Sequence, residues 1–216
     1  MIRVLIVDDH DLIRTGISMI LESEPGMKVI GECEDGTQAL DMIRQHAPDV
    51  VLMDVNMPGI GGVEATRRIC QMPITTRVIV LTVMADQPFP KRLLDAGAAG
   101  YLTKGCGRDE LLKAIRDVMS GRRYIGSNIA QKLALSMLPG NSASPLEELS
   151  DREMAVLLML VHGKHPQYIG EQLNISPKTV STYKYRIFEK LAVENDVALM
   201  HLAIRHGLLE EPLTST

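Results

Sequence analysis

The chain has 216 residues, longer than one average domain and enough for two. Its apolar content of 45% can fill packed cores, while its apolar runs are strand-sized, which excludes a membrane-spanning helix. A net charge of −4 excludes a protein that draws in nucleic acid through a basic field spread over its whole surface. The first residues run straight into an apolar strand and lack the layout of a secretory signal. Cys33, Cys70 and Cys106 stand singly, without metal-ligand spacing, as reduced thiols of a cytoplasmic protein do.

Residues 2–7 read as a first, apolar strand. Residues 11–24 place Ile13, Ile17, Ile20 and Leu21 at helical spacing until Pro25-Gly26 stops them. A strand over 27–33 and a helix over 36–46 follow, the helix ending before Pro48. Val50-Val51-Leu52-Met53 is apolar without alternation, the pattern of a strand covered on both faces, and it runs out at Asp54. Met57-Pro58-Gly59 turns the chain away into a helix over 61–71. Next come a strand over 77–81, a short helix over 88–96, a strand over 99–102 and a helix over 108–119. Five strands alternating with five helices, joined by right-handed crossovers, predict an α/β fold: a doubly wound five-stranded parallel sheet.

Gly121-Arg122-Arg123 closes this first domain, which spans 1–121. In the connection over 122–146, residues 128–138 carry an apolar stripe and read as a helix, and 139–145 as a flexible tether. Residues 147–210 predict an all-α domain of four helices. Ser150-Asp151-Arg152-Glu153 is a capping box, with Leu149 and Met154 placed as a hydrophobic staple. A short helix spans 167–173, Ser176 caps a third helix with Pro177 in its first turn, and a fourth helix spans 196–206. The third helix buries Val180, Ile187 and Leu191. A short helix, a tight turn and a capped helix with polar residues outward describe a helix-turn-helix.

In an open parallel sheet, ligands collect outside the carboxyl ends of the strands. There the first strand ends in Asp8 and Asp9, the third in Asp54 and the fourth in Thr82, while the fifth leads from Tyr101 to Lys104. Carboxylates gathered at one edge repel each other unless a hard cation sits among them, and Mg2+ takes oxygen ligands of this kind. Asp54 would then attack a phosphoryl group, and Thr82 and Lys104 would hold the product's oxygens. Taken alone, a strand-ending Asp is often only a turn former. His10 reads as a partly exposed loop histidine.

Asp8-Asp9, Asp54, Met57-Pro58-Gly59, Thr82 and Lys104, in this order and spacing, resemble the receiver domain of two-component response regulators. The resemblance implies that Asp54 is the phosphoacceptor. It implies Asp9 as the direct Mg2+ ligand, Asp8 as the more distant one and the Asn56 backbone carbonyl as a further ligand. Thr82, Lys104 and Tyr101 match the positions that register phosphorylation. Gly105 stands where many receivers have proline, and Val83 where Ala or Gly is commoner.

Residues 147–209 resemble the LuxR-type DNA-binding domain of the NarL/FixJ response-regulator subfamily. The likeness rests on Leu149-Ser150, Arg152-Glu153, Gly163, Ile169, Leu173, Ile175-Ser176, Thr179-Val180, Ile187 and Lys190-Leu191. His165-Pro166-Gln167-Tyr168 and Tyr183 depart from the pattern. Over the full length the chain looks most like the GacA/UvrY group. Positive charge is local here: within 176–190, Lys178, Lys184, Arg186 and Lys190 face only Glu189. Ser181, Thr182 and Tyr185 are expected to read bases in the major groove, and Lys178, Thr179, Lys184 and Lys190 to meet phosphates.

For the whole chain, the resemblance implies a cytoplasmic, non-enzymatic transcription regulator. A sensor histidine kinase would phosphorylate it on Asp54, and it would bind double-stranded DNA as a homodimer. The fourth helix (Val197, Met200, His201, Ala203, Ile204) is expected to form part of the pairing surface. An Mg2+-dependent phosphatase would share Asp54 but needs a second Asp two residues on, where Asn56 stands. A protein-binding adaptor that touches no DNA is the third alternative.

Overall fold

The computed structural model describes residues 1–57, 60–82, 90–136, 144–206 and 208–209. Strands β1 (Ile2–Val7), β2 (Met27–Cys33), β3 (Val50–Asp54), β4 (Arg77–Thr82), β5 (Gly100–Thr103) and β6 (Tyr124–Ile125) form one sheet, ordered β2-β1-β3-β4-β5-β6. Every neighbouring pair is parallel. The sheet therefore has six strands among the described residues, where the apolar pattern predicts five. β6 has only two residues, too few to carry a period-2 signal, and it exists by pairing with Gly100 and Tyr101 of β5.

Helices α1 (Asp11–Glu22), α2 (Gly36–His46), α3 (Gly61–Cys70), α4 (Pro90–Asp95) and α5 (Arg108–Met119) alternate with the strands, and α6 (Ser127–Ser136) follows β6. The unbroken apolar run of β3 serves two layers. Val50 and Leu52 share a core with Leu21 of α1 and Leu112 and Ile115 of α5. Val51 and Met53 share the other with Ile43 of α2 and Ile69 of α3. A strand that alternates between two apolar layers leaves its polar residue only at its end.

Helices α7 (Asp151–Val161), α8 (Pro166–Leu173), α9 (Pro177–Leu191) and α10 (Asp196–Arg205) build the second unit, entered through a single 3-10 turn, Pro145–Glu148. Its start is capped as the sequence predicts: the Ser150 hydroxyl accepts from the Glu153 amide at 3.3 Å, and the Glu153 carboxylate accepts from the Ser150 amide at 2.7 Å. Ser176 likewise accepts from the Thr179 amide at the start of α9. The turn between α8 and α9 needs Gly170, because a Cβ there would come within 2.7 Å of the Ile175 carbonyl oxygen. No described helix is long and apolar enough to cross a membrane. The Pro58-Gly59 turn, Val83, the beginning of the helix expected at Pro88 and the tether over 139–143 lie outside the described residues.

Candidate functional site

Strand register gathers the pocket. Val7 pairs with Met53, so Asp8 emerges beside Asp54. Asp54 pairs with Leu81, and Thr82 with Thr103, so Thr82 and Lys104 complete the edge. The Lys104 amide donates to the Thr82 carbonyl at 2.7 Å. Ligand atoms of Asp8, Asp9, His10 and Asp54 all lie within 4.8 Å of one another. Lys104 Nζ stands 2.8 Å from Asp8 Oδ2 and 2.9 Å from Asp54 Oδ2. Asp8, Asp54 and Thr82 are buried, whereas Asp9 is partly open to solvent.

Burial decides the electrostatics. It pushes the Asp54 carboxyl up to about 6, with Lys104 opposing and Asp8 adding to the rise. For Lys104 the balance reverses: burial works against its charge, but Asp54 and Asp8 together outweigh it and hold its pKa above the ordinary lysine value. The asymmetry follows from stoichiometry, since one ammonium is shared by two buried carboxylates. Burial also raises the Tyr101 phenol, with neighbouring Thr82 opposing and Asp54 adding to the rise, and the ring is fully enclosed.

The residues fit a small hard cation. Three carboxylates meet one ammonium, and the donor set is oxygen apart from His10, whose Nδ1 lies 2.9 Å from Asp9 Oδ1 and 3.2 Å from Asp8 Oδ1. The Asn56 amide donates to Asp54 Oδ1 at 3.2 Å, and Asn56 Oδ1 is buried with no hydrogen-bond partner. Two further residues support the pocket without standing out in the sequence as functional. A Cβ at Gly62 would fall 1.7 Å from the Asp54 carbonyl oxygen, so the start of α3 presses on the backbone of Asp54. Arg14, buried in α1, donates to the Asp8 carbonyl. Its one sequence signal is a charged residue sharing the helical stripe of Ile17 and Leu21.

On α9, Val180, Ile187 and Leu191 are buried, and Lys178, Ser181, Thr182 and Tyr185 share the exposed face, with Tyr185 65% exposed. The Ser181 and Thr182 hydroxyls donate back to the carbonyls of Pro177 and Lys178, both at 3.1 Å. Thr179 is occupied in the Ser176 cap. Lys184 pairs with Asp196 of α10 at 2.6 Å, and Lys190 with Glu153 of α7 at 2.7 Å and the Glu148 carbonyl at 3.1 Å. On α10, Val197 and His201 are exposed and Met200 and Ile204 half-buried, but Ala203 lies in the core and is no part of a surface.

The two units also touch. Arg92 of α4 donates to the carbonyls of Leu146, Glu147 and Leu149 at 2.5–2.9 Å. Glu64 of α3, buried, holds Arg67 and Arg68 and lies 3.4 Å from Arg152 of α7. Arg68 also donates to the Gln172 carbonyl.

Residues 4–116 match the response regulator receiver domain, and residues 147–203 match the bacterial regulatory proteins of the luxR family. Response regulator UvrY of Escherichia coli is 53% identical over 209 residues, covering 96% of each chain. Response regulator GacA of Pseudomonas aeruginosa is 51% identical over 211 residues, covering 97% of this chain and 99% of the relative. Among solved structures, RcsB of Salmonella enterica serovar Typhimurium, bound to promoter rprA with the phosphomimetic BeF3-, matches with a TM-score of 0.72. It is 29% identical and covers 94% of this chain and 98% of its own. The chain belongs to the LuxR-family response regulators. The acidic edge of the regulator is thus the pocket of its receiver domain, and α8 and α9 are the helix-turn-helix of a transcription factor.

Proposed function

We propose that Asp54 is the phosphoacceptor, that a sensor histidine kinase is the donor, and that the modification changes how the helix-turn-helix domains engage double-stranded DNA. The observation that carries the proposal is the buried carboxylate of Asp54, set between Asp8 and Lys104 at the carboxyl edge of the sheet. An Asp54 oxygen bonds to phosphorus as the bond from phosphorus to the donor's histidine nitrogen breaks, and the electron pair leaves with that nitrogen. Asp8, Asp9, Asp54 and the Asn56 backbone carbonyl would hold Mg2+, which supplies charge neutralisation for the phosphoryl oxygens. Lys104, already 2.9 Å from Asp54, turns its ammonium to the new oxygens, and the Thr82 hydroxyl does the same. Tyr101 is then free to repack.

The signal has a direct outlet. α3 follows the Asp54 loop and α4 follows Thr82, and these two helices carry Glu64, Arg68 and Arg92 into the helical domain. The outward face of α9 stays exposed in this arrangement, so the contact restrains the orientation of the domain and leaves its DNA-reading face uncovered. Release would let two copies pair through Val197, Met200, His201 and Ile204 and lay two α9 helices on one palindromic site. Solved structures of RcsB bound to DNA and of two RcsB dimers on two parallel DNAs support this role.

In this proposal the receiver spans 1–121, the partly helical linker 122–146 and the DNA-binding domain 147–210, in the cytoplasm. Ser181, Thr182 and Tyr185 read bases, and Lys178, Thr179, Lys184 and Lys190 meet phosphates, Lys184 and Lys190 only after leaving their carboxylates. Asp54→Ala should abolish labelling by acetyl phosphate, and persistent stoichiometric labelling would reveal another acceptor. Genomic DNA selection with and without acetyl phosphate tests the output: an identical DNA set at identical affinity sinks the coupling. Steady hydrolysis of a phosphoester substrate would overturn the non-enzymatic part.

A further inference from the structure

Arg14 sits near the start of α1 with its side chain 8% exposed, and it is ringed by acceptors from three segments. Nη1 donates to the Asp8 carbonyl at 2.8 Å. Nη2 donates to Asp11 Oδ1 at 3.0 Å and to Glu34 Oε1 at 3.3 Å, while Nε lies 3.5 Å from Glu32 Oε2. One guanidinium therefore ties the loop after β1 to the end of β2. A buried arginine needs such partners, and here they are placed so that its fork spans both segments.

The oxygen it holds matters most. The Asp8 carbonyl is half of the peptide that joins Asp8 to Asp9, so fixing that oxygen fixes the plane from which Asp9 departs. Asp8 is already secured, its amide on the Cys33 carbonyl and its Oδ1 under the His10 amide. Among the described residues, the one ion-pair or hydrogen-bond partner of the Asp9 carboxylate is His10, itself about half exposed. The aim of Asp9 thus depends on the backbone, and the backbone depends on Arg14. Asp11, Glu32 and Glu34 more than offset the guanidinium charge, so it does not compete with a cation for the pocket carboxylates.

We infer that Arg14 is a positioning residue for divalent-cation binding, aiming Asp9 at Asp8 and Asp54 through the Asp8–Asp9 peptide without touching the ion. This rests on the Mg2+ site proposed above. Groups that orient ligands from behind cost about ten- to a hundredfold in metal affinity when removed. A purely structural role would instead lower stability and leave affinity intact.

The test uses the full-length chain, with Mn2+ binding followed by electron paramagnetic resonance, Mg2+ by competition, and Asp54 labelling by acetyl phosphate as a function of Mg2+. Arg14→Met should weaken both cations by about tenfold or more, and the labelling lost at low Mg2+ should return at saturation. Arg14→Lys, which keeps one donor for the Asp8 carbonyl, should fall between Arg14→Met and the wild type. Wild-type affinity in Arg14→Met overturns the inference, as does a labelling defect that saturating Mg2+ leaves in place. If Arg14→Met does not fold, wild-type affinity in Arg14→Lys overturns it instead. Absence of Mn2+ binding by the wild-type chain would remove the metal site itself, and Arg14's assignment with it.

Discussion

The acidic pocket and the exposed face of α9 are the two proposed functional surfaces, but they are held in opposite ways. In the pocket, each side chain is placed by strand register and by its neighbours: Asp8 and Asp54 are buried and share Lys104, and Thr82 is buried at the same edge. On α9, Ser181, Thr182 and Tyr185 point into solvent, and among the described residues the two hydroxyls bond only to their own helix. The pocket stores unfavourable electrostatics that a ligand can relieve. The helix face stores little and waits for a partner to order it. Substitutions should therefore change stability and chemistry together in the first region, and affinity alone in the second.

The sharpest way to break that contrast is Gly62→Ala. The added Cβ would meet the backbone of Asp54 and Val55, which cannot swing aside as a side chain could. A loss of about 3 kcal/mol of stability is expected, at the upper end for overpacking, together with loss of acetyl-phosphate labelling. Wild-type labelling and an unchanged denaturation midpoint would show that α3 does not press on the acceptor.

Asp54→Asn should move stability the other way. In the fold the neutral carboxyl is favoured, so folding takes up a proton between the ordinary value of 3.8 and about 6. Asp54's contribution is therefore intact at low pH and is eroded as pH rises through that window. At neutral pH, without divalent cation, Asp54→Asn should be more stable than wild type by roughly 2–3 kcal/mol, and below the window the two should converge. Urea denaturation in EDTA at both pH values measures this, and a wild type equal or superior at neutral pH would contradict it.

How far these two regions were legible in the sequence differs for the same physical reasons. β3 and its terminal Asp54 stand out because an apolar run without alternation has few alternatives, and Thr82 and Lys104 follow once the strands are laid parallel. The capping box at Ser150 was legible because both partners lie within one turn. β6 was not, since two residues carry no periodicity. The ion pairs of Lys184 with Asp196 and Lys190 with Glu153 were not either: their partners lie 12 and 37 residues away, on other helices. Arg14 was hidden because its role appears only when the β1 and β2 ends are placed side by side.

On the helix face, Tyr185→Ala should cost about 1–3 kcal/mol of specific DNA affinity and leave stability within about 0.5 kcal/mol, as for other exposed positions. Competition binding against a scrambled site separates the two. Unchanged specific affinity would take Tyr185 off the list of base readers.

The smallest effect divides the lysines of α9 between DNA and fold. Lys178 is exposed on the same face as Tyr185, whereas Lys190 lies on the Glu153 carboxylate that caps α7. That carboxylate is disfavoured by burial but held below the usual glutamate value by Lys190 and Ser150, so its charge depends on staying paired. Its stabilising share is present above the ordinary glutamate pKa and is lost as pH falls through the lower folded value. Lys178→Ala should reduce the salt slope of DNA binding by about one at unchanged stability. Lys190→Ala should lower stability at neutral pH by about 1–2 kcal/mol, as expected when a buried acceptor loses its charged donor, with a smaller change in slope. If Lys190→Ala instead leaves stability intact and takes the full unit from the slope, Lys190 belongs to the DNA and the cap of α7 stands without it.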